Sequence, residues 1–490
     1  MATVSDAIQK TLREELEPTI HDYLPKLDPV YPQIKRSFKN VKNTGIGRGH
    51  KVIKTFRTGV AGGAKFEGVA GGNVLSGSHY NVFDTPPTFP AIDETTNPAY
   101  FTAEVSLIKQ KGNFYIPTQY LRADQYDSAI GSVVSDLLQG VAELVANQEC
   151  GMFYAGGTYK EFGDLGDTSA TVTNLSGDTA AMVVDLDGTS ASGRVHRFLE
   201  GMLVDLYDST GATQRNNDFT IVVDTVDPDA STIVLKRMDG ATFQTTTTLN
   251  GGITYGGAGG DNDIIVLKDS VSQGPTNLNS WIVNSGTLFG MDLAVRSRFK
   301  SILPASIGAA LSESKLNQAY YRYYRAFPTK SIRTAITTDG VLLGLIDNLD
   351  GFVSGSNSQD GRMRYDRNGE ALMAEMGWEG FKYRFGGKAV TIYTSGYCEE
   401  GFWYGINLEG GNIVRHVPPG LPGAKMDGRI GQELEFVAPI GGSTGIFAHA
   451  TSAGKLTDYA QAPFERQWQI LPTDPVSLKM VGITQITLIS

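Results

Sequence analysis

Residues 124–151 read DQYDSAIGSVVSDLLQGVAELVANQECG, and the apolar residues in this stretch recur in steps of three and four. Ile130, Val133, Val134, Leu137, Leu138, Val141, Leu144 and Val145 therefore share one stripe of an α-helix, because a turn takes 3.6 residues. Asp124 and Asp127 stand where an N-cap is needed, and Gly151 can supply the left-handed residue that closes the other end. About two dozen residues at ~1.5 Å each make a rod of roughly 36 Å. Gly131 and Gly140 each weaken such a rod by up to about 1 kcal/mol relative to Ala. Packing of the stripe must hold it, and the glycines mark places where the rod bends or where another segment comes close.

Outward from the helix, the chain before it holds a strand and an arm. Phe101, Ala103, Val105 and Leu107 alternate with Thr102, Glu104 and Ser106, the period of a half-buried strand. Phe114, Tyr115 and Ile116 extend the pairing potential up to Pro117. Ahead of this strand, residues 59–78 are glycine-rich and 86–90 read PPTFP. Residues 46–118 thus form a long two-stranded excursion with a glycine-rich tip. A lone hairpin is marginal in water, so this one needs a surface to lie on. Nearer the start, residues 4–17 fit a short amphipathic helix ended by Pro18. Pro18, Pro25, Pro29 and Pro32 then suit an extended arm anchored by Tyr23, Leu24, Val30 and Tyr31 on this chain or a neighbour.

Between arm and excursion the charge is one-sided. Lys35, Arg36, Lys39, Lys42, Arg48, Lys51, Lys54 and Arg57 fall in a stretch with no Asp or Glu, in a chain of formal net charge −10. Such segregation calls for a partner of opposite sign: acidic patches on a neighbouring subunit, the preferred reading for an acidic chain, or phosphates. The overall charge excludes a protein that coats nucleic acid on all sides.

After the helix, residues 157–275 turn to Asp, Thr, Ser and Gly with short β-rich runs: MLVDLY (202–207), FTIVVDTV (219–226), STIVLKRM (231–238) and DIIVLKD (263–269). This reads as an inserted all-β unit, a sandwich or barrel. Mixed patterning resumes beyond it. SESKLNQAYYRYYRAF (312–327) reads as a helix whose tyrosines line a packing face, with Arg322 and Arg325 at a rim or subunit interface. TDGVLLGLIDNL (338–349) reads as another helix, and 381–395 and 401–407 as strands.

The 490 residues exceed one core, and 58 glycines point to many turns and strands. Two distant cysteines, six scattered histidines without HExxH, and no Walker A loop leave no metal site, no cofactor and no catalytic set. No run approaches the ~18 apolar residues of a membrane span, and the N-terminus has no apolar core of a signal peptide, which implies a cytosol-like compartment of synthesis. Gly441-Gly442-Ser443-Thr444-Gly445 spells GxSxG, but β-like residues follow and His449 precedes Asp458. That order does not suit a nucleophile elbow.

The order of parts, with KQKGNFYIPTQYLRADQYDSAIGSVVSDLLQGVAELVANQE (109–149) running from returning strand into helix, resembles the major capsid proteins of tailed bacteriophages. FGMDL (289–293), GWEGFKYRFGGKAVTIYTS (377–395) and GFWYGIN (401–407) support the likeness. The resemblance implies an α+β, Hong Kong 97-type fold. Its parts would be an N-terminal arm (1–45), an extended loop (46–118), a spine helix of the peripheral domain (119–156) and an inserted β-rich domain (157–275). The peripheral domain would resume (276–330), followed by an axial domain (331–460) and a closing strand region (461–490). It implies a non-enzymatic shell protein forming pentamers and hexamers of an icosahedral virion around double-stranded DNA, which is touched non-specifically on the inner face. Portal and scaffold proteins, and cement proteins where used, would be partners, with assembly in the host bacterial cytoplasm and no membrane. No lysine–asparagine crosslink transfers, because no motif fixes the partners of Lys54 or Lys65. An encapsulin shell enclosing an enzyme is the alternative, and a hydrolase using Ser443 a remote one.

Overall fold

The helix forms as its periodicity dictates, shifted toward the C-terminus: it runs Ala129–Tyr154, 26 residues. In this computed structural model, the residues described are 16, 18–37, 39–43, 50–57, 100–117, 129–155, 161–164, 181–185, 195–228, 232–241, 263–304, 311–345, 381–385, 388–399, 401–408, 412–418, 434–436, 448–452, 455–473 and 476–481. Asp124 and Asp127, expected as caps, and the side chains of Ile130, Gly131, Val133 and Val134 lie outside them. Leu138, Ala142, Val145, Ala146, Cys150 and Phe153 are buried in one core cluster, with Val141 packed at its edge and Leu144 against a second cluster. Leu137 corrects the expected stripe. It is 37% exposed, because the buried face is centred on Leu138 and one residue further round is about 100° away.

Gly151 does not end the helix either. A Cβ there would sit 2.7 Å from the Phe162 ring, so the glycine serves close packing rather than a left-handed cap. The terminal carbonyls are met by side chains distant in sequence. Arg197 Nη2 donates to Tyr154 O at 3.1 Å, Asn277 Nδ2 to Met152 O at 3.2 Å and Ala155 O at 3.0 Å, and Asn279 Nδ2 to Ala155 O at 3.1 Å. Orphan carbonyls of a buried helix end need such partners.

The arm is helical where its prolines suggested extension. Residues 18–27 form a helix that contains both Pro18 and Pro25. Leu16, Ile20 and Leu24, four apart, are buried in the same cluster as the spine helix, followed by Val30, Tyr31 and Ile34. Burial of that stripe outweighs the cost of a proline in the last turn. The surface on which the arm lies is its own chain. Residues 4–15 lie outside the described set.

The excursion pairs as its alternation predicts. His50–Arg57 and Tyr100–Ser106 are antiparallel from Lys51↔Ser106 to Arg57↔Tyr100, and Val41–Asn43 adds a third strand. The tip, 58–99, lies outside the described residues. The returning chain then changes partner. Ile108–Pro117 leaves this sheet and pairs with the 18-residue strand Lys455–Pro472, from Trp468↔Ile108 to Tyr459↔Pro117. The paired part of the excursion is therefore shorter than 46–118. Leu107, buried with Val52 and Leu471, is the pivot.

Lys455–Pro472 organises a six-stranded sheet, receiving also Ile413–His416, Leu434–Phe436 and Ala448–Ser452, with Lys35–Ser37 parallel on Ile413–His416. A five-stranded sheet runs Phe381–Phe385, Lys388–Thr394, Thr334–Thr337, Phe402–Ile406, Leu478–Val481. The helix Glu313–Ala326 covers it through Leu316, Ala319, Tyr320 and Tyr323. Of the expected 338–349 helix, 339–345 is helical and the rest is not described.

The β-rich stretch is a single six-stranded antiparallel sheet among the described residues, not a sandwich or barrel. Its order is Gly163–Asp164, Ile264–Leu267, Leu203–Tyr207, Ile221–Asp227, Thr232–Arg237, Ala181–Asp185. Its inner face, with Val204, Leu206, Val223, Ile233 and Ile265, packs with Phe162, Phe198 and the end of the spine helix at Met152 and Ala155. The helix does what a second sheet would have done. The molecule is thus α+β, with its larger sheets gathered around the spine helix and the helix Glu313–Ala326.

Candidate assembly surface and its anchorage

The basic stretch divides between solvent and the chain itself. Lys35, Arg36, Lys39 and Lys42 are exposed, with Arg36 also in contact with His21 on the arm helix. Lys51 reaches Glu104 across the hairpin at 3.4 Å, both half-exposed, a pair worth at most about 1 kcal/mol in water. Lys54 is engaged inward: its Nζ donates to Pro472 O at 3.0 Å and lies 5.6 Å from the Phe56 ring centroid. Arg57 opposes Tyr100 in register. Arg48 and the side chain of Arg57 lie outside the described residues. Tyr100, 62% exposed, leaves an aromatic ring in water where the excursion heads toward its tip.

On the helix Glu313–Ala326 the arginines face away from the sheet. Arg322 and Arg325 are exposed beside Tyr321, which is 67% exposed. Tyr320 points inside, where its hydroxyl accepts from Trp403 Nε1 at 3.2 Å. Burial pushes the Tyr320 phenol well up from its ordinary value, so it stays neutral.

Along its described length, base included, the hairpin is fixed to the body. Phe56 stacks on Phe289 at 6.3 Å and meets Phe299 edge-on at 6.0 Å. Phe289 and Gly290, with φ of 51° and 84°, form the two-residue turn of the hairpin Thr287–Leu288/Met291–Asp292, a backbone shape that suits glycine at one position. His50 Nδ1 lies 3.2 Å from Gln467 Oε1, and Gln469 Nε2 donates to Ser106 O at 3.1 Å.

Beneath that base sits a buried ionic hub that sequence reading missed. Glu149, 0% exposed, accepts from Arg415 Nη1 at 2.7 Å and Nη2 at 3.3 Å, from Arg466 Nη1, and from the Tyr31 hydroxyl at 3.2 Å. Arg415 also donates to Tyr31 Oη at 2.8 Å and lies 4.5 Å from the Trp468 ring centroid. Burial pushes the Glu149 carboxyl up, but Arg415 and Arg466 overcome it and hold the group at about 2. Four segments therefore meet on one carboxylate: arm, spine helix, Ile413–His416 and Lys455–Pro472. The signal was present in the pattern. Glu149 continues the buried 138–142–145 stripe, and Arg466 alternates inward with Phe464 and Trp468.

His416, next along its strand, is also buried. Burial, with Lys54 nearby, lowers its imidazole to about 4 despite a contact with the Lys39 backbone. Above the hub, a groove of about 940 Å³ opens between Ile108–Gly112, the spine helix at Leu144–Met152 and the segment 267–275.

Among the described residues, no cluster of three or more His, Cys, Asp or Glu could hold a metal, and no helix is long and apolar enough to cross a membrane. Cys150 and Cys398 are buried thiols, not joined in a disulfide. Gly441–Gly445 lies outside the described residues. The segment just after it, Ala448–Ser452, is a strand hairpinned onto Lys455–Pro472, where a nucleophile elbow requires a helix.

No protein-family model matches the chain, and no curated protein matches it. Solved structures do. The chain is similar to the Cyanophage A-1(L) capsid (12% identity, TM-score 0.39, covering 94% of this chain and 92% of that one). It is similar to the capsid of the native GTA particle (9%, 0.38, 93% and 90%) and to the capsid of Myoviridae Phage XM1 (10%, 0.36, 92% and 90%). A smaller likeness reaches the SrpI encapsulin from Synechococcus elongatus PCC 7942 (12%, 0.22, 39% and 55%).

Proposed function

We propose that this chain is the major subunit of a tailed-phage capsid, with a Hong Kong 97-type fold. It self-assembles into pentamers and hexamers of an icosahedral shell that encloses double-stranded DNA. One observation carries the reading: the hairpin His50–Arg57/Tyr100–Ser106 is held to the body along one face by Val52, Phe56 and Ala103 and leaves Thr55, Tyr100, Thr102 and Glu104 exposed on the other. Such a hairpin is marginal alone, and it returns into the long strand pair that leads to the spine helix. A protein gains from that shape when a second copy supplies the missing surface, since many modest contacts then sum to a stable lattice. Lys35, Arg36, Lys39, Lys42, Arg48, Lys51 and Arg57, with Arg322 and Arg325 on the helix Glu313–Ala326, are the proposed contacts to acidic surfaces of neighbours. Lys54 contributes by fixing the hairpin to Pro472 O.

The test is electron microscopy of the expressed full chain. Closed shells of uniform diameter support the proposal, and a chain that stays monomeric at assembly concentrations overturns it. Arg48→Glu with Lys51→Glu is expected to cut shell yield at least tenfold while the melting temperature of the soluble chain changes little, since the Lys51–Glu104 pair is largely solvated. Shells that carry an enzyme in place of DNA would shift the assignment to an encapsulin.

A further inference from the structure

Among the described residues, two carboxyl groups of the core are completely buried and are treated in opposite ways. Of the three guanidiniums buried among the described residues, Glu149 takes Arg415 and Arg466, and Arg197 is engaged by the carbonyls of Tyr154, Tyr397 and Glu161. Asp28, also 0% exposed, takes none of them. It stands at the joint where the arm helix 18–27 hands over to the turn Tyr31–Gln33. Its N–H donates to Leu24 O at 3.0 Å, so the carboxyl sits at the negative end of the arm helix. Oδ1 accepts from Val30 N–H at 2.8 Å, and the Tyr154 hydroxyl and the Tyr31 N–H also favour the charged carboxyl, but Oδ2 completes no well-formed hydrogen bond among the described residues.

The described elements packed around it bring no cation to it. The spine helix presents Cys150 and Tyr154, and the turn at 395–398 presents Tyr397 and Cys398. Burial raises the Cys150 thiol and the Tyr154 and Tyr397 phenols, so these stay neutral. Glu149 beside Cys150 is negative, and Arg415 is spent on it. Burial also raises Asp28 itself, to about 6, against the opposing pull of the Val30 N–H and the Tyr154 hydroxyl. Two acids in one core are thereby driven apart, one to ionise always and the other to keep its proton in mild acid.

We propose that Asp28 is a proton-operated latch: as a carboxylic acid it lets the N-terminal arm lie on the spine helix, and as a carboxylate it loosens the arm from it. When the arm is undocked, Asp28 is solvated and titrates near its ordinary 3.8. The docked state then binds the extra proton, and rising pH favours release. Linkage between those two values lowers the docked-to-undocked ratio about tenfold from pH 5 to pH 7.5, with most of the change below pH 6.5. This inference stands on the arm and the core of one chain and does not depend on shell formation.

Hydrogen exchange of the arm amides in the purified full chain, corrected for intrinsic rate, tests it at pH 5, 6 and 7.5. In the wild type, protection of 18–34 is expected to fall about tenfold across that range. In Asp28→Asn most of that fall is expected to vanish, with protection exceeding the wild type at pH 7.5. His21 on the arm remains in both proteins, so its contribution appears in both and cancels. Equal pH responses in the two proteins overturn the proposal. Should Asp28→Asn fail to fold, carboxyl carbon NMR of aspartate-labelled wild type decides: one buried aspartate titrating between pH 5 and 7 supports the latch, and none above pH 5 overturns it.

Discussion

Replacing Glu149 by Gln should be the most costly single change in the core. The carboxylate is fully buried and accepts from two guanidiniums and a phenol. Glutamine keeps the shape and removes the charge, leaving Arg415 and Arg466 buried with no counter-charge. The structure supplies the magnitude by two routes. A carboxyl held at about 2 instead of 4.5 corresponds to roughly 3 kcal/mol at ~1.4 kcal/mol per unit. Breaking one side of a buried ion pair costs about 3–5 kcal/mol in general.

Because the folded value is depressed, this stability is present above about pH 4.5 and is lost as pH falls toward 2. Urea unfolding of the soluble chain at pH 7 should therefore show a loss of about 3–4 kcal/mol for Glu149→Gln. The acid-induced loss between pH 5 and 2 should be correspondingly smaller in the variant. Replacing the whole set (Tyr31→Phe, Glu149→Leu, Arg415→Met, Arg466→Met) should recover most of the deficit, since no buried charge is left uncompensated. A cost below about 1 kcal/mol for Glu149→Gln, or an unchanged acid profile, would refute the role given to the hub.

Two glycines of one helix should respond in opposite directions. Gly140 is exposed, and nothing lies within 4 Å of the place a methyl would take, so Gly140→Ala should stabilise by about 0.5–1 kcal/mol in denaturant melts. Gly151→Ala drives a methyl against the Phe162 ring and should cost about 1–3 kcal/mol by the same measurement. Arg197 donates to the carbonyls of Tyr154, Tyr397 and Glu161, so Arg197→Met strips a buried helix end. A loss of about 3 kcal/mol is expected, with hydrogen exchange rising first at 150–155 and at 195–207. Gly112→Ala must displace the Phe464 ring, which occupies the Cβ position, and should lower the melting temperature and raise exchange along Ile108–Pro117.

The spine helix shows how far periodicity reaches. Steps of three and four established that a helix exists and roughly which side is buried. They could not rank Leu137 against Leu138, because neighbours on a stripe differ by a fraction of a turn and only the packed surface chooses between them. The arm shows the opposite failure. Its prolines argued for extension, yet Leu16, Ile20 and Leu24 repeat every four residues, and the spine helix offers them a place to be buried. Tertiary burial overrode local propensity there. In the β-rich stretch the runs became strands as their composition predicts, but a helix end took the place of a second sheet.

By itself the sequence determined the order of parts, the spine helix, the paired base of the excursion and the segregation of positive charge, since each rests on local period or composition. Only the tertiary structure decided the partners. It sent Ile108–Pro117 to a strand some 350 residues away, turned Lys54 inward to Pro472, and gathered Tyr31, Arg415 and Arg466 onto the Glu149 carboxylate. Long-range pairing and the sharing of buried charge depend on which surfaces meet, and no local pattern carries that information.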